Sequence, residues 1–242
     1  SQLRTSFRVD TILQTVGISF YTFQTLSYAI DVYRREIDPV KSFWDFGCYV
    51  TFFPQLVAGP IIRAKSFIPQ LHAAYQLSRK EFKMGIWWIL TGLIKKVIFA
   101  DYIAMNLVDR VFASPTSYSG MEVMLGLYGY SLQVFADFSG YSDIAIGVAL
   151  LMGFRLEENF RSPYKARNLG EVWKRWHISL STWLRDYLYI PMGGSRTASI
   201  FSGIFSFATV FFASMMLGES GEISFGVLFL GFGMMLLLWS SG

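Results

Sequence analysis

The chain has 242 residues, of which 53% are hydrophobic, 18% aromatic and 16% charged. Soluble domains carry roughly 25% charged residues, so this composition and the mean hydropathy of +0.39 exclude an ordinary soluble domain and a disordered chain. The net charge of +4 comes from basic residues separated by apolar blocks, which favours loops at an anionic membrane surface and argues against nucleic-acid binding. With Cys48 as the one cysteine, an internal disulfide and a cysteine-based metal site are also excluded.

Apolar stretches of spanning length predict an all-α, polytopic integral membrane protein. A spanning helix needs about 20 apolar residues. Four stretches of about this length carry no charge, and two other apolar stretches are interrupted by lysine or aspartate. The uncharged stretches are Thr11–Ile30, Phe46–Ile62, Thr197–Gly218 and Ile223–Gly242, and the interrupted ones are Met84–Met105 and Met124–Phe154. Together they predict roughly five to seven embedded helices, including broken or re-entrant ones.

The order of these stretches predicts one membrane-embedded domain over residues 1–242, with no internal repeat and with a helical hairpin over residues 197–242. Basic residues concentrate between Arg155 and Arg196, whereas the loop Glu219–Glu222 has none. The positive-inside rule therefore places the basic segment in the cytoplasm and the Glu219–Glu222 loop outside. The first residues lack a basic and then apolar leader, so no cleaved signal peptide is expected.

The segment Glu171–Ile190 has helical periodicity and several charges, which predicts one helix at the membrane interface. On such a helix Trp173, His177 and Ser181 share a face. An imidazole among indoles is partly desolvated, which favours its neutral form and suits a general base. Alternatively, the tryptophans form a membrane belt and His177 is a hydrogen-bonded structural residue. An adjacent aromatic face comprises Trp176, Leu180, Trp183 and Tyr187, and a polar stripe comprises Lys174, Ser181 and Arg185.

Asp137 and Asp143 lie in an otherwise apolar stretch, and intramembrane acids face a partner or a cavity. They either line a polar tunnel or form structural ion pairs with Lys95, Lys96 or Arg185. No metal is predicted, because the remaining ligands of a calcium loop are absent.

The segment Phe46–Ile62 contains Pro54, Gly59 and Pro60, which predict a bend. Gln55 places a polar side chain inside that bend. The bend is either the wall of a pocket or a kink in a packing helix.

Four motifs, in this order, resemble the membrane-bound O-acyltransferase family, and in particular its bacterial alginate O-acetylation branch, which is related to the D-alanyl transferase of teichoic acid. They are Gly17–Gln24, Phe53–Pro60, Asp137–Asp143 and Trp176–Pro191. The last is highly specific by itself. The resemblance covers about residues 16–196, and the hairpin over residues 197–242 diverges from it.

The resemblance implies an O-acyltransferase of the bacterial inner membrane that crosses it several times, surrounds a tunnel and contacts membrane lipid. An acyl group, in this branch acetyl, would pass from a cytoplasmic thioester, acetyl-CoA or another acyl thioester, to a hydroxyl of a cell-surface polysaccharide or to a relay protein. No tightly bound cofactor is implied. A soluble extracytoplasmic O-acetyltransferase is the expected partner protein.

The resemblance also implies roles for individual residues. His177 matches the first of two functional histidines and would polarise the acceptor hydroxyl or the thioester carbonyl. The side chains expected to shape the site or line the tunnel are Trp176, Ser179, Ser181, Trp183, Arg185, Asp186, Gln55, Asp137 and Asp143.

The sequence departs from the family pattern in one motif and in length. The second histidine of the branch belongs to a Leu-Trp-His-Gly-like block, yet no histidine follows His177 here and the segment Phe211–Glu222 lacks that block. Members of the branch are near twice this length, so the chain resembles an internal fragment. These departures predict little or no activity for the 242-residue chain alone, and they leave a catalytically inactive scaffold as the alternative. A transporter would also explain broken helices and buried acids. An inverted internal repeat would favour that alternative, and the sequence shows none.

Overall fold

A computed structural model describes residues 18–191 and residue 193, and all regular structure within them is helical. The α-helices are α1 (Ile18–Tyr33), α2 (Phe43–Val50), α3 (Ala64–Leu71), α4 (Arg79–Leu93), α5 (Asp109–Ala113), α6 (Gly120–Leu151), α7 (Leu169–Arg175) and α8 (Ile178–Leu184). Short 3-10 turns cover Phe53–Gln55, Pro115–Ser117 and Pro163–Lys165, and π-helical segments cover Ile94–Asp101, Ala104–Val108 and Arg185–Tyr189. The all-α prediction is therefore confirmed over these residues.

The described residues divide into two compact units, the first ending at Glu158 and the second beginning at Asn159. Helices α1 to α6 belong to the first unit, and α7 and α8 belong to the second. The predicted hairpin over residues 197–242 and the first part of the Thr11–Ile30 stretch lie outside the described residues.

Helix α6 corresponds to the predicted apolar stretch Met124–Phe154. It begins with a capping box, in which Ser119 and Glu122 satisfy each other's backbone N–H groups. Its 32 residues extend about 48 Å at 1.5 Å per residue. Among the described residues it is the one helix long and apolar enough to cross a membrane, so the predicted number of embedded helices stays a prediction.

Helices α4 and α6 approach so closely that their backbones touch at two pairs of glycines. A Cβ atom on Gly92 would lie 2.5 Å from the carbonyl oxygen of Gly140, and one on Gly140 would lie 2.9 Å from that of Gly92. Seven residues away on each helix, a Cβ on Gly147 would lie 2.6 Å from the carbonyl oxygen of Gly85. Only glycine allows this approach, and it brings the lysines that follow α4 against the aspartates of α6.

The stretch Phe46–Ile62 is broken into separate elements, as its prolines predict. Helix α2 ends at Val50, a 3-10 turn carries Pro54 at its start, and no regular helix resumes before Ala64. Because proline has no backbone N–H, the first turn of a helix accepts it without loss, whereas an interior proline removes one backbone hydrogen bond; Pro69, inside α3, is such an interior proline.

An aromatic core surrounds this broken stretch in the first unit. The rings of Phe52, Phe67 and Phe154 pack with centroids 4.9 to 5.0 Å apart. The Tyr49 hydroxyl lies 3.2 Å from the carbonyl oxygen of Gln24 and 3.0 Å from that of Ile62. The core thus holds α1, α2 and the broken stretch together.

Candidate active site

The predicted single helix over Glu171–Ile190 is wrong, because the backbone turns at the centre of the motif. Helix α7 ends at Arg175, Trp176 is extended, and His177 adopts a left-handed conformation with φ of 41° and ψ of 57°. Helix α8 then begins at Ile178. Trp173, His177 and Ser181 therefore do not share one helical face. A left-handed non-glycine residue costs about 1–2 kcal/mol, and such strain concentrates at functional sites.

Asn159 explains why the backbone turns at this point. Its carbonyl oxygen accepts a hydrogen bond from the Ile178 N–H at 2.9 Å, and its Oδ1 accepts from the Ser179 N–H at 3.2 Å. These are the first N–H groups of α8, which have no partner within the helix. Because the His177 side chain does not cap α8, Asn159 satisfies these donors instead. This tertiary contact overrides the helical periodicity of the sequence.

The His177 imidazole lies against the same asparagine. Its Nδ1 is 3.0 Å from Asn159 Oδ1, and its ring is near-parallel to that of Phe160, with centroids 6.4 Å apart. Only 7% of the His177 surface is exposed, and this burial lowers the pKa of the imidazole from 6.5 to about 3. The imidazole is therefore neutral at pH 7, as its predicted aromatic surroundings suggested.

A second set of hydrogen bonds holds the loop that carries Asn159. The Arg161 N–H donates to the carbonyl oxygen of Arg175 at 2.9 Å, and the Arg175 guanidinium donates to the carbonyl oxygen of Arg161 at 3.2 Å. The same guanidinium forms an ion pair with Glu171 at 2.6 Å. Asn168 caps α7 by accepting from the Glu171 N–H at 2.8 Å. The end of α7 and the Asn159 loop are thus fixed to each other.

Three other predicted site residues of the second unit contact His177, Asn159 or the neighbouring Phe160. Ser179 joins His177 on Asn159, because its Oγ lies 2.9 Å from Asn159 Oδ1. The Ser181 N–H donates to the backbone oxygen of His177 at 3.0 Å. Trp176 packs edge-on against Phe160, with centroids 5.2 Å apart.

The remaining three lie further along the motif. Trp183 is buried and packs on Tyr187 with centroids 5.1 Å apart. Arg185 is exposed and forms an ion pair with Asp186 at 2.7 Å.

The predicted aspartates of the first unit form the ion pairs that were one of their two interpretations. Asp143 is buried and lies 2.5 Å from Lys95 Nζ. Asp137 lies 2.7 Å from Lys96 Nζ, which also pairs with Asp101 at 2.9 Å. Arg185, the third partner considered, pairs with Asp186 instead. No group of three or more metal-ligating side chains occurs in the part of the chain that the structure describes.

Gln55 is 2% exposed, and neither its Oε1 nor its Nε2 has a hydrogen-bond partner among the described residues. A buried amide without partners is costly and indicates that water or a ligand satisfies it. This observation favours the interpretation of the bend as a polar wall.

Sequence reasoning missed Asn159. Periodicity relates residues that are neighbours on one helix, whereas Asn159 and His177 lie 18 positions apart with a 3-10 turn and α7 between them. No composition or spacing signal marks such a contact.

Comparison with known proteins defines the class of this chain. Residues 35–241 match the family described as MBOAT, membrane-bound O-acyltransferase. The chain therefore belongs to the membrane-bound O-acyltransferase family, as its motifs predict, and the family is bound to membranes.

Individual relatives narrow the similarity. The chain is 44% identical over 212 residues to a Pseudomonas putida protein named "Probable alginate O-acetylase AlgI", covering 88% of this chain and 42% of the relative. It is 35% identical to the "Peptidoglycan O-acetyltransferase" of Helicobacter pylori, covering 81% and 42%, and 33% identical to the "Teichoic acid D-alanyltransferase" of Bacillus subtilis, covering 74% and 46%. The chain thus spans less than half the length of these relatives.

The neutral, buried imidazole predicts a pH dependence of folding stability. The unfolded chain binds a proton at His177 below pH 6.5, whereas the folded chain does so only near pH 3. Stability is therefore fully present above pH 6.5 and falls by about 1.4 kcal/mol per unit as the pH drops toward 3. Chemical denaturation in detergent, comparing the unsubstituted chain with H177Q at pH 7.5 and pH 5.0, measures this. The unsubstituted chain should lose about 2 kcal/mol more than the variant, and equal losses would contradict the assignment.

Proposed function

We propose that this chain carries part of the catalytic centre of a membrane O-acyltransferase that transfers an acetyl group. The observation that carries the proposal is His177, a buried imidazole held neutral in a strained turn at the centre of the Trp176–Pro191 motif. A neutral imidazole can accept the proton of an attacking hydroxyl. The family membership and the names of the relatives support transfer of an acyl group to an oxygen atom of an acceptor.

The proposed reaction transfers an acyl group from a thioester to a hydroxyl in one cycle of proton transfer through His177. The acceptor hydroxyl oxygen attacks the thioester carbonyl carbon while His177 takes the hydroxyl proton. The new carbon–oxygen bond forms, the carbon–sulfur bond breaks, and the imidazolium returns its proton to the departing thiolate. The imidazole is thus restored, and an acyl ester and a free thiol are the products.

The donor and acceptor follow from the chemistry of this branch. Acetyl-CoA or another acyl thioester would approach from the cytoplasm, and a cell-surface polysaccharide hydroxyl or a relay protein would approach from outside. Two relatives bear names that specify alginate and peptidoglycan as acceptors. A soluble extracytoplasmic O-acetyltransferase would act as partner, in a multi-pass protein of the bacterial inner membrane with roughly five to seven embedded helices.

Polar side chains in the first unit would provide part of a tunnel lining. Gln55 supplies a buried amide whose two polar atoms have no hydrogen-bond partner among the described residues. Asp137 and Asp143 would present carboxylates whose charge is balanced by Lys96 and Lys95. In the second unit Trp176, Ser179, Ser181, Trp183, Arg185 and Asp186 would shape the site. Of these, Ser179 has the firmest support, because it shares Asn159 with His177.

A catalytically inactive scaffold is the second candidate. His72 and His177 are the two histidines of the chain. His72 is exposed, forms a contact of 2.9 Å with Asp45, and lies in a different unit from His177. Since the branch uses two histidines and none follows His177 here, the 242 residues alone are expected to show little or no turnover.

Transfer of a labelled acetyl group from a thioester to an acceptor tests the proposal. Inverted membrane vesicles that contain the complete product of the gene encoding this chain would receive acetyl-labelled acetyl-CoA outside and polysaccharide acceptor inside. We expect ester-linked label on the acceptor, and we expect almost none with vesicles that contain only the 242 residues. If the complete product inserts normally and transfers no label from any acyl thioester offered, the scaffold is the correct function.

A further inference from the structure

We propose that Asn159 is a positioning residue that fixes the tautomer of His177, so that Nδ1 carries the proton and Nε2 carries the lone pair. The assignment of Nε2 as the catalytic base rests on the proposed function, whereas the tautomer itself rests on geometry alone. Asn159 belongs to none of the four motifs that relate the chain to its family.

The atom of Asn159 that faces the histidine is its amide oxygen. Amide oxygen and nitrogen cannot be distinguished by shape, and the hydrogen-bond network has to decide between them. A backbone N–H can only donate, and the Ser179 N–H points at this atom from 3.2 Å. The atom is therefore the amide oxygen, an acceptor with no proton to give.

The proton of the neutral His177 imidazole is on Nδ1. His177 Nδ1 lies 3.0 Å from that oxygen, and two acceptors at this distance would repel each other. Nδ1 must therefore carry a hydrogen and donate it. In a neutral imidazole one nitrogen is protonated and the other is not, so the lone pair is on Nε2.

A competing arrangement would make Ser179 the donor to the histidine. Ser179 Oγ lies 3.5 Å from His177 Nδ1 but 2.9 Å from Asn159 Oδ1. The shorter contact is the better hydrogen bond, and a serine hydroxyl has one proton. The hydroxyl therefore also donates to Asn159. The amide oxygen thus accepts three hydrogen bonds, from His177 Nδ1, the Ser179 N–H and the Ser179 hydroxyl.

The choice of an amide at this position has a chemical consequence. A carboxylate would hold the same tautomer but would also stabilise the imidazolium. The neutral Asn159 orients the ring without adding charge, and burial alone causes the lowered pKa of His177. The imidazole thus stays a neutral base until the acceptor hydroxyl reaches it. Because Asn159 also holds the start of α8, the position of the ring and the position of the helix are set by one side chain.

Nitrogen NMR of ring-labelled histidine reads the tautomer directly. The 242-residue chain, studied in lipid nanodiscs, contains two histidines. In the H72Q variant all histidine signals therefore come from His177. We expect at pH 7.5 a protonated Nδ1 and an unprotonated Nε2. A protonated Nε2 in the unsubstituted chain would overturn the proposal without any need for a variant at Asn159.

Three variants separate positioning from general stabilisation. N159L removes the acceptor and should shift His177 toward the Nε2-protonated form or an average of both forms. N159D keeps an oxygen acceptor and should retain a protonated Nδ1, even if N159L fails to fold. S179A removes the competing hydroxyl donor and should leave the tautomer unchanged. A tautomer that changes with S179A, or that resists N159L in a folded chain, contradicts the role of Asn159.

The acyl-transfer assay keeps this proposal distinct from the proposed function. If Nδ1 is protonated and the complete gene product transfers no acyl group, the function is wrong and the positioning by Asn159 stands. If acyl transfer occurs while Nε2 is protonated, the function stands and the positioning is wrong.

Discussion

Replacing His177 by glutamine should lower acyl transfer by the complete gene product by about 10²–10⁴-fold, the usual contribution of a positioned general base. Glutamine is close in size to histidine, and its amide can still donate to Asn159 Oδ1 as the imidazole does at 3.0 Å. The variant therefore keeps the hydrogen bond but has no nitrogen that accepts a proton near neutral pH. The rate of label transfer in vesicles, with the amount of inserted protein determined by immunoblot, measures the effect.

The second histidine provides the matched control. His72 is exposed and pairs with Asp45 in the first unit, so H72Q should leave the rate within twofold of the unsubstituted protein. H177Q should also unfold at a denaturant concentration close to that of the unsubstituted protein at pH 7.5. A folded H177Q protein that still transfers acetyl groups would remove His177 from the mechanism.

The sequence predicts the parts of this molecule that depend on local pattern. Met124–Phe154 is apolar and long enough to cross a membrane, where a helix satisfies its own backbone N–H and C=O groups. Helix α6 occupies nearly all of this stretch. Pro54 lacks a backbone N–H, and the helix stops before it. Asp143 in an apolar stretch requires a partner, and Lys95 is that partner. Each of these features follows from one local physical cost, although the sequence alone left Lys95, Lys96 and Arg185 open as partners.

The geometry of the candidate site could not be predicted in this way. The segment Glu171–Ile190 satisfies helical periodicity, yet the chain turns at Trp176 and His177 because Asn159 satisfies the first N–H groups of α8. That contact compensates the strain of a left-handed histidine, and it joins positions whose separation carries no periodic signal. The residues of the motif are thus recognisable from sequence, whereas their arrangement depends on a residue outside it.

The break at His177 also changes how the motif works. On one continuous helix the imidazole would share a face with Trp173 and Ser181 and would have several rotamers. In the left-handed turn the ring is placed by the backbone, by Phe160 and by Asn159 together. A base held in this manner needs little reorganisation when the hydroxyl arrives, which is the condition for efficient proton transfer.

The largest loss of stability should come from breaking the ion pair between Lys95, in the π-helical segment that follows α4, and Asp143 of α6. K95M preserves the approximate volume of the side chain but leaves Asp143 buried without its cation. Removing one partner of a fully buried pair costs about 3–5 kcal/mol, and because the Lys95 side chain is 28% exposed we expect a loss near the lower end of that range. We therefore expect K95M to unfold at much lower denaturant than the unsubstituted chain, as measured by tryptophan fluorescence in detergent.

Two further variants identify the cause of that loss. K83M makes the same substitution in α4 at an exposed position and should change stability by less than about 1 kcal/mol. The double variant K95M/D143L removes both charges and should recover most of the stability, because a buried pair is often replaced by apolar side chains at little cost. If the double variant is no more stable than K95M, the lysine stabilises the helix pair through packing and the charge of Asp143 is not the reason. If it recovers, the uncompensated charge of Asp143 causes the instability of K95M, and the ion pair offsets the cost of burying that carboxylate.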